Sequence, residues 1–357
     1  MQFTQREDGS ILISVTIGLT AIFALIGLAV DVGRLYVVKT ELQRFADSAA
    51  AAAAYELNGT ASGVASATSL VQNGFGSSAG RNGWDFGTKI VTNTQATFAA
   101  VLAGPYSSSP GDASNVKFVQ VIATETVPYF FLPVLPGISS SGTASASAIA
   151  GQKQQTSLRD GLAPFSPDAH SASDSNFGFT VGTLYTLKWA PPGQRTKSGG
   201  SCAGDIGFVP AGGSSERGYI DVGQGSGNSN LVAVIVDNNY YLANPLSSGS
   251  SLTMISTITG NKSVGDALNT RFNQDTDTTS TDYAHYTGNG RRTLVVPVNN
   301  HSDPPLVSGF GAFFIRNDAC GTSNNDPCCA EYIGAALVPG RRAASTSGGL
   351  YEVSLFH

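Results

Sequence analysis

The chain has 357 residues, of which 13% are charged and 42 are glycine, and its net charge is −5 at pH 7. That balance argues against a nucleic-acid binder, which needs a basic face. Low charge with abundant Ser, Thr and Gly fits a β-rich exported protein better than a cytosolic enzyme, and the length past residue 57 suits one large or two modest domains.

The first element runs from Ile11 to Val30, twenty residues without a charge (ILISVTIGLTAIFALIGLAV). About 20 apolar residues span a bilayer core. The run is longer than a signal-peptide core, and Asp31, Arg34 and Tyr36 follow it in place of a small-x-small cleavage site, so a retained anchor is expected.

Beyond the exit, Leu35, Val38, Leu42, Phe45, Ala49 and Ala52 recur at steps of 3 and 4, one helical stripe, with Lys39, Glu41, Gln43 and Arg44 off it. Asn58-Gly59 is a stop signal, which predicts a single rod to about Leu57, roughly 70 Å long at 1.5 Å per residue. The stripe needs a partner, either the chain's own globular part or another protein.

Residues 60–115 are rich in small polar residues, with Val64, Leu70, Phe75, Trp84 and Phe86 as apolar anchors. From Val116 to Val127 alternation predicts a strand. The proline-broken aromatic segment Tyr129-Phe130-Phe131 follows, read as a core-filling corner or an interaction patch. A second strand of small residues, TASASAI, spans Thr143–Ile149. Domain boundaries are expected as 1–57 (anchor and continuing helix), 58–151 (small α+β unit), 152–176 (polar linker) and 177–357 (mainly β). In the last unit strands are predicted over 178–189, 230–237, 292–298, 310–315, 331–338 and 350–356. Lys262–Phe272 is the best helix there, and Gly288-Asn289-Gly290 signals a hairpin. The fold class is α+β, a long N-terminal transmembrane helix followed by mainly β extracytoplasmic structure.

Cys202, Cys320, Cys328 and Cys329 have neither C-x-x-C spacing nor clustered histidines, which disfavours zinc. Of the three possible pairings, Cys320 with Cys328 or Cys329 would close the turn-rich GTSNNDP loop, leaving Cys202 the other partner. Disulfides imply an oxidising compartment. Charge bias is contrary: Arg34, Lys39 and Arg44 outweigh Arg6 and the α-amino group, which favours a cytoplasmic C-terminal part. The excess is small, and export is the expectation. Among chemistry-bearing residues, Asp275, Asp277 and Asp282 place oxygens on alternate positions as calcium loops do, without the Gly and Glu that complete an EF-hand, so a polar loop is expected. His170, His285, His301 and His357 with Asp303 could be drawn into a triad, but no G-x-S-x-G elbow supports a hydrolase. The glycine-rich stretch 223–229 lacks the Lys-Ser/Thr of a phosphate loop.

The N-terminal residues resemble those of TadE/TadG-like Flp pilus-assembly proteins: a Gly before the membrane run, the exit Val30-Asp31-Val32-Gly33-Arg34, and the tail Leu42-Gln43-Arg44-Phe45-Ala46-Asp47-Ser48-Ala49-Ala50. Ala123–Phe131 with TASASAIA, and the later GNGRR, VVPV and SGFGAFFI, are similar to later parts of such proteins. The resemblance implies a single-pass inner-membrane component of a tight-adherence pilus machine with its bulk in the periplasm. Its implied partners are the membrane and other pilus-assembly or pilin-like proteins; no cofactor, small-molecule substrate or nucleic acid is implied. Two departures qualify it. The Asp-x-Ser-x-Ser metal motif of long members is missing. Pilins cut by prepilin peptidase carry Glu at the fifth mature position; here Gly9 is followed by Ser14 at that place, so the chain is expected to remain an anchored assembly protein, with a minor pilin-like subunit as the alternative.

Overall fold

The computed structural model describes residues 8–73, 82–134, 137–195, 197–211, 216–237, 240–256, 262–317, 319–321, 323, 325–337 and 341–356. Arg6, Phe75 and His357 from the sequence reading lie outside them. Helix α1, Asp8–Glu56, is the expected rod, and Gly59 takes the left-handed turn that ends it (φ 78°). A second helix, α2 (Ala61–Asn73), has no counterpart in the sequence expectations; Thr60 caps it, its hydroxyl accepting from the Gly63 amide at 3.1 Å.

The short pair β1 (Gly83–Trp84) and β2 (Lys89–Ile90) leads into β3 (Thr94–Ala99), β4 (Phe118–Pro128) and β5 (Ser141–Gln154). Strands β6 (Ser157–Asp160) and β7 (Leu184–Lys188) follow, then helix α3 (Asn228–Asp237), β8 (Tyr241–Ser247) and helix α4 (Lys262–Asn273). The remaining strands are β9 (Thr293–Asn299), β10 (Val307–Phe314), β11 (Cys328–Tyr332), β12 (Ala335–Leu337), β13 (Arg341–Arg342) and β14 (Gly349–Phe356). The fold is therefore α+β: a long apolar N-terminal helix followed by a mainly β body.

Among the described residues, one sheet has the order β13-β12-β14-β5-β4-β3, antiparallel except for β12 beside β14. One face of it carries Val119, Val121, Ala123 and Val127 from β4 and Ala144, Ala146, Ala148 and Ala150 from β5, all buried. These meet Val38, Leu42, Phe45 and Ala49 of α1 in one core. The alanines of β5 let the helix backbone approach closely. Thr143, Ser145 and Ser147 alternate with them on the opposite side and are exposed, which is why TASASAI reads as it does. The stripe on α1 is thus covered by the chain's own sheet. Its centre line is Gly27, Asp31, Arg34, Val38, Leu42 and Phe45; Leu35 and Ala52 sit at its margin, half-buried.

The second sheet, β7-β11-β10-β9, is buried on both faces. Aromatic residues Phe165, Phe179, Tyr219, Phe313 and Tyr332 pack with α3 and α4 on one side. On the other, Phe310, Ala312 and Phe314 reach Ala336 and Leu350 of the first sheet. Double burial explains the unbroken apolar run of β9, every residue of which is buried.

Several expectations need correction. Residues 152–176 are not a linker: they contain the end of β5 and all of β6, and Leu162, Phe165 and Asp168 are buried, with Leu162 and Asp168 bridged to Val295 and Asn299 of β9. The run 230–237 is helical, burying Leu231, Val234 and Ile235 at i, i+3, i+4. Of 178–189 only Leu184–Lys188 is strand. Gly288-Asn289-Gly290 closes no hairpin, since β9 pairs with β10 and not with a preceding strand. The unit boundary at 151 is crossed by pairing, for β14 lies antiparallel to β5 from Tyr351–Gln154 to Phe356–Ile149.

One buried side chain ties these parts together. The Gln152 amide donates to the carbonyls of Ala54 (2.9 Å) and Leu57 (2.6 Å), which the end of α1 leaves free, and its oxygen accepts the Ala344 amide at 2.7 Å.

Candidate functional site: the membrane-exit clamp

Leu12, Ile13, Ile17, Phe23, Leu25 and Ile26 of α1 are all more than half exposed. The helix is long and apolar enough to cross a membrane. Burial begins at Gly27, where the helix meets Phe131 of the β4–β5 connection, and further along it meets the turn between β1 and β2.

Asp31 and Arg34 are polar members of an otherwise apolar stripe, and each is matched. The Asp31 carboxylate accepts three consecutive backbone amides, from Phe130 (2.9 Å), Phe131 (2.9 Å) and Leu132 (2.8 Å). It acts as a cap for the short 3-10 turn Leu132–Val134. Arg34 forks onto Asp85, with Nε at 2.8 Å and Nη2 at 2.6 Å from the two carboxylate oxygens. It also donates to the Pro128 carbonyl and lies 4.5 Å from the centroid of the Phe130 ring. Lys89 adds a second cation 3.3 Å from Asp85 and covers the Trp84 ring at 4.6 Å. The hydrogen bond from Arg34 holds the Asp85 carboxyl below its usual range against the opposing effect of burial, and Lys89 helps.

The turn that presents Asp85 is strained: Asp85 and Phe86 both have left-handed backbones (φ 57° and 60°), costing of order 1–3 kcal/mol each. Such a turn persists when its surroundings over-determine it, and the Arg34–Asp85 pair, with side chains 9% and 10% exposed, supplies that constraint. The arrangement fixes the angle and rotation at which α1 leaves its apolar half and enters the body.

The Tyr129–Phe131 corner is not a core filler. Phe130 and Phe131 are 62% and 46% exposed, and the corner contributes its backbone amides to the clamp.

The other candidate residues lie elsewhere. Asp275 accepts from the Tyr286 hydroxyl (2.5 Å) and from the amides of Asp277, Arg292 and Asn289. Asp277 accepts from the amides of Thr279, Ser280 and Thr287 and from the Ser280 hydroxyl, which pull its carboxyl well below the usual range. Asp282 pairs with the exposed His285 at 2.7 Å. These oxygens meet N–H and O–H donors, so the segment is a self-braced polar loop, and no group of three potential ligands converges among the described residues. It is held from beneath by Arg292, fully buried between the rings of Phe272 and Phe314 and bonded to the carbonyls of Ile315, Asp277 and Ser280.

His170 contacts Asp205 (2.8 Å) and His301 contacts Asp168 (3.3 Å), with the Phe208 ring against both imidazoles. No serine hydroxyl meets either ring among the described residues. Cys202 is joined to Cys329 and Cys320 to Cys328. The ladder between β11 and β7 shifts register between Cys328 and Cys329, and the two adjacent cysteines take different partners.

Sequence reasoning marked Asp31 and Arg34 but missed Asp85, Gly27, Gln152 and the three corner amides. The available signal was that Asp31, Arg34, Val38 and Leu42 share one stripe, so the two charged residues had to face protein.

The family model described as "Putative Flp pilus-assembly TadE/G-like" matches residues 9–56, which are α1 almost end to end. No curated protein and no solved structure matches the chain.

Proposed function

We propose, from the likeness of residues 9–56 to Flp pilus-assembly proteins, that the protein is a membrane-anchored structural component of a Flp-type (tight-adherence) pilus or a related secretion system, acting by protein–protein contact. The observation that carries this reading is that the matched residues are those that build the rod and its clamp, with Asp31 and Arg34 of the exit motif each bonded into the body. The mechanism is geometric. The span fixes the protein in the inner membrane by a single pass, the clamp sets the body's orientation, and the β layers offer a periplasmic surface to other pilus proteins. Two disulfides support an oxidising compartment. Because the stripe from Val38 to Ala49 is occupied by β4 and β5, partners meet the bare half of α1 within the bilayer or the outer faces of the body.

Two measurements test it. Alkaline phosphatase fused after residue 357 is active if the body is periplasmic, and an inactive fusion overturns that placement. Deletion of the chain abolishes surface pili and the wild type restores them; pili assembled in its absence would sink the assembly role.

A filament-subunit reading is favoured by one observation: the first half of α1 is bare while the second lies on a sheet, leaving a helix free to bundle with copies of itself. The mass of the mature protein separates the two, since removal of residues 1–9 marks a subunit and an intact start marks an anchor.

A further inference from the structure

The β4–β5 connection has properties that capping Asp31 does not require. Phe130, Phe131 and Ile138 are exposed, and residues 126–140 contain no charge. A structural cap needs only the backbone of this segment; three large apolar side chains left in water oppose folding unless something else covers them.

The position of the connection says what that cover is. Phe131 packs against α1 at Gly27, where an added Cβ would lie 2.4 Å from the Phe131 Cβ. Gly27 is four residues before Asp31, about 6 Å into the apolar half of the helix at 1.5 Å per residue. The corner therefore stands beside the span, on its apolar side of the exit.

The amides of its first residues, 129–132, are also satisfied within the protein. The amides of Phe130, Phe131 and Leu132 are bonded to Asp31, that of Tyr129 to the Ser140 carbonyl at 2.9 Å, and Pro128 and Pro133 have no N–H. Irregular backbone tolerates the hydrocarbon boundary only when its polar groups are satisfied within the protein. The charges of Arg34 and Lys89 lie on the other side of this apolar tip, engaged with Asp85.

We propose that the corner formed by Phe130, Phe131 and Ile138 is a second membrane contact, a lipid-facing wedge whose side chains enter the interface of the bilayer that α1 crosses. The occupant of the exposed patch is lipid because the patch is continuous with the lipid-facing surface of α1. The proposal rests on the reading of α1 as a membrane span. Two contacts, one through the bilayer and one at its surface, remove the swivel that a single helix would leave.

The test places an indole at the corner. The full chain is reconstituted into phosphatidylcholine–phosphatidylglycerol vesicles, with or without lipid brominated near the headgroup end of its acyl chains. Wild type supplies the background from its own tryptophans. Phe23→Trp reports the span, and Phe131→Trp reports the corner. Ile138→Trp repeats the corner measurement from its other side, away from Gly27. The expected result is a blue-shifted emission and a loss of intensity on bromination for the corner variants as well as for Phe23→Trp. Quenching of Phe23→Trp with neither corner variant quenched overturns the wedge and leaves the span standing; a partner protein or water would then cover the corner. Absence of quenching in Phe23→Trp overturns both.

Discussion

Replacing Gln152 tests how far the rod, the sheet and the segment at residue 344 form one unit. Gln152→Leu keeps the side-chain bulk but strands three groups: the carbonyls of Ala54 and Leu57 and the amide of Ala344. The site is buried, with Gln152 only 2% exposed, so water cannot readily take the place of the lost partners. At about 1–3 kcal/mol for each of the three unsatisfied buried groups, the loss is about 3–9 kcal/mol, a large part of the roughly 5–15 kcal/mol that separates a domain from its unfolded state. Gln152→Glu adds a second reading. It keeps an acceptor for Ala344 but aims a carboxylate oxygen at two carbonyls and at the negative end of the α1 dipole. The folded protein therefore prefers the protonated acid, and the new group's pKa is raised above its unfolded value of about 4.3. With a raised folded pKa, its stability contribution is full below the unfolded pKa and is lost as pH rises through the folded one. The Glu variant should approach wild type near pH 5 and fall away from it by pH 8. The assay is guanidinium unfolding of the full chain in detergent micelles, followed by the fluorescence of Trp84 and Trp189, at both pH values. A Gln152→Leu midpoint corresponding to less than about 1 kcal/mol of loss, or a Glu deficit that does not change with pH, would refute the reasoning.

Breaking the exit clamp by Arg34→Met should cost about 3–5 kcal/mol, because it leaves the Asp85 carboxylate largely buried without its principal partner. A double-mutant cycle with Asp85→Asn, read by the same unfolding assay, should show strong coupling, and additive losses would argue against the pair. The Asp85 pKa is depressed, so its contribution is present above the unfolded value of about 3.9 and is lost as pH falls through the lower folded value; this acid sensitivity should vanish in Asp85→Asn. Chain-entropy arithmetic assigns about 5 kcal/mol to the Cys202–Cys329 link, whose sequence separation is 127, and about 2.5 kcal/mol to Cys320–Cys328, separation 8. Paired Cys→Ser variants compared by thermal unfolding should keep that order. Gly27→Val would drive a side chain into Phe131, costing about 1–3 kcal/mol by overpacking, and should speed proteolysis within 129–138.

Local patterns in the sequence carried α1, β4, β5 and α4, because in each the apolar residues repeat at the period of the element. The stripe on α1 was legible as a stripe, but its centre was displaced toward Leu35, since Asp31 and Arg34 read locally as solvent-facing exit charges when they are in fact matched by protein. Asn230–Asp237 is a short apolar run rich in β-branched residues, and periodicity alone cannot separate a buried helix from a buried strand there. Residues 152–176 misled for a different reason: a few of their polar side chains are internal hydrogen-bonding groups, as with Ser166, which bonds Asn299, and Asp168, which bonds His301 and the Ala211 amide. Asp85 as the partner of Arg34, and β14 as the partner of β5, depend on contacts between residues far apart in sequence, and no local period encodes them.

The pairing of β14 with β5 bears on how the protein is made. Residues 155–348 lie between the two strands, so at about 5–20 residues per second the ribosome needs about 10–40 s to bridge them. During that interval the rod, β3, β4 and β5 have already emerged, and β5 presents an open edge able to recruit any extended segment nearby. The stretch left waiting for β14 is Ile149–Gln154, whose Lys153 and two glutamines make it a weak template for foreign strands. A chain stalled or clipped within 155–348 would be left with that edge unsealed and with Gln152 lacking its Ala344 partner, so the first sheet and the end of α1 are completed only when the last strand arrives.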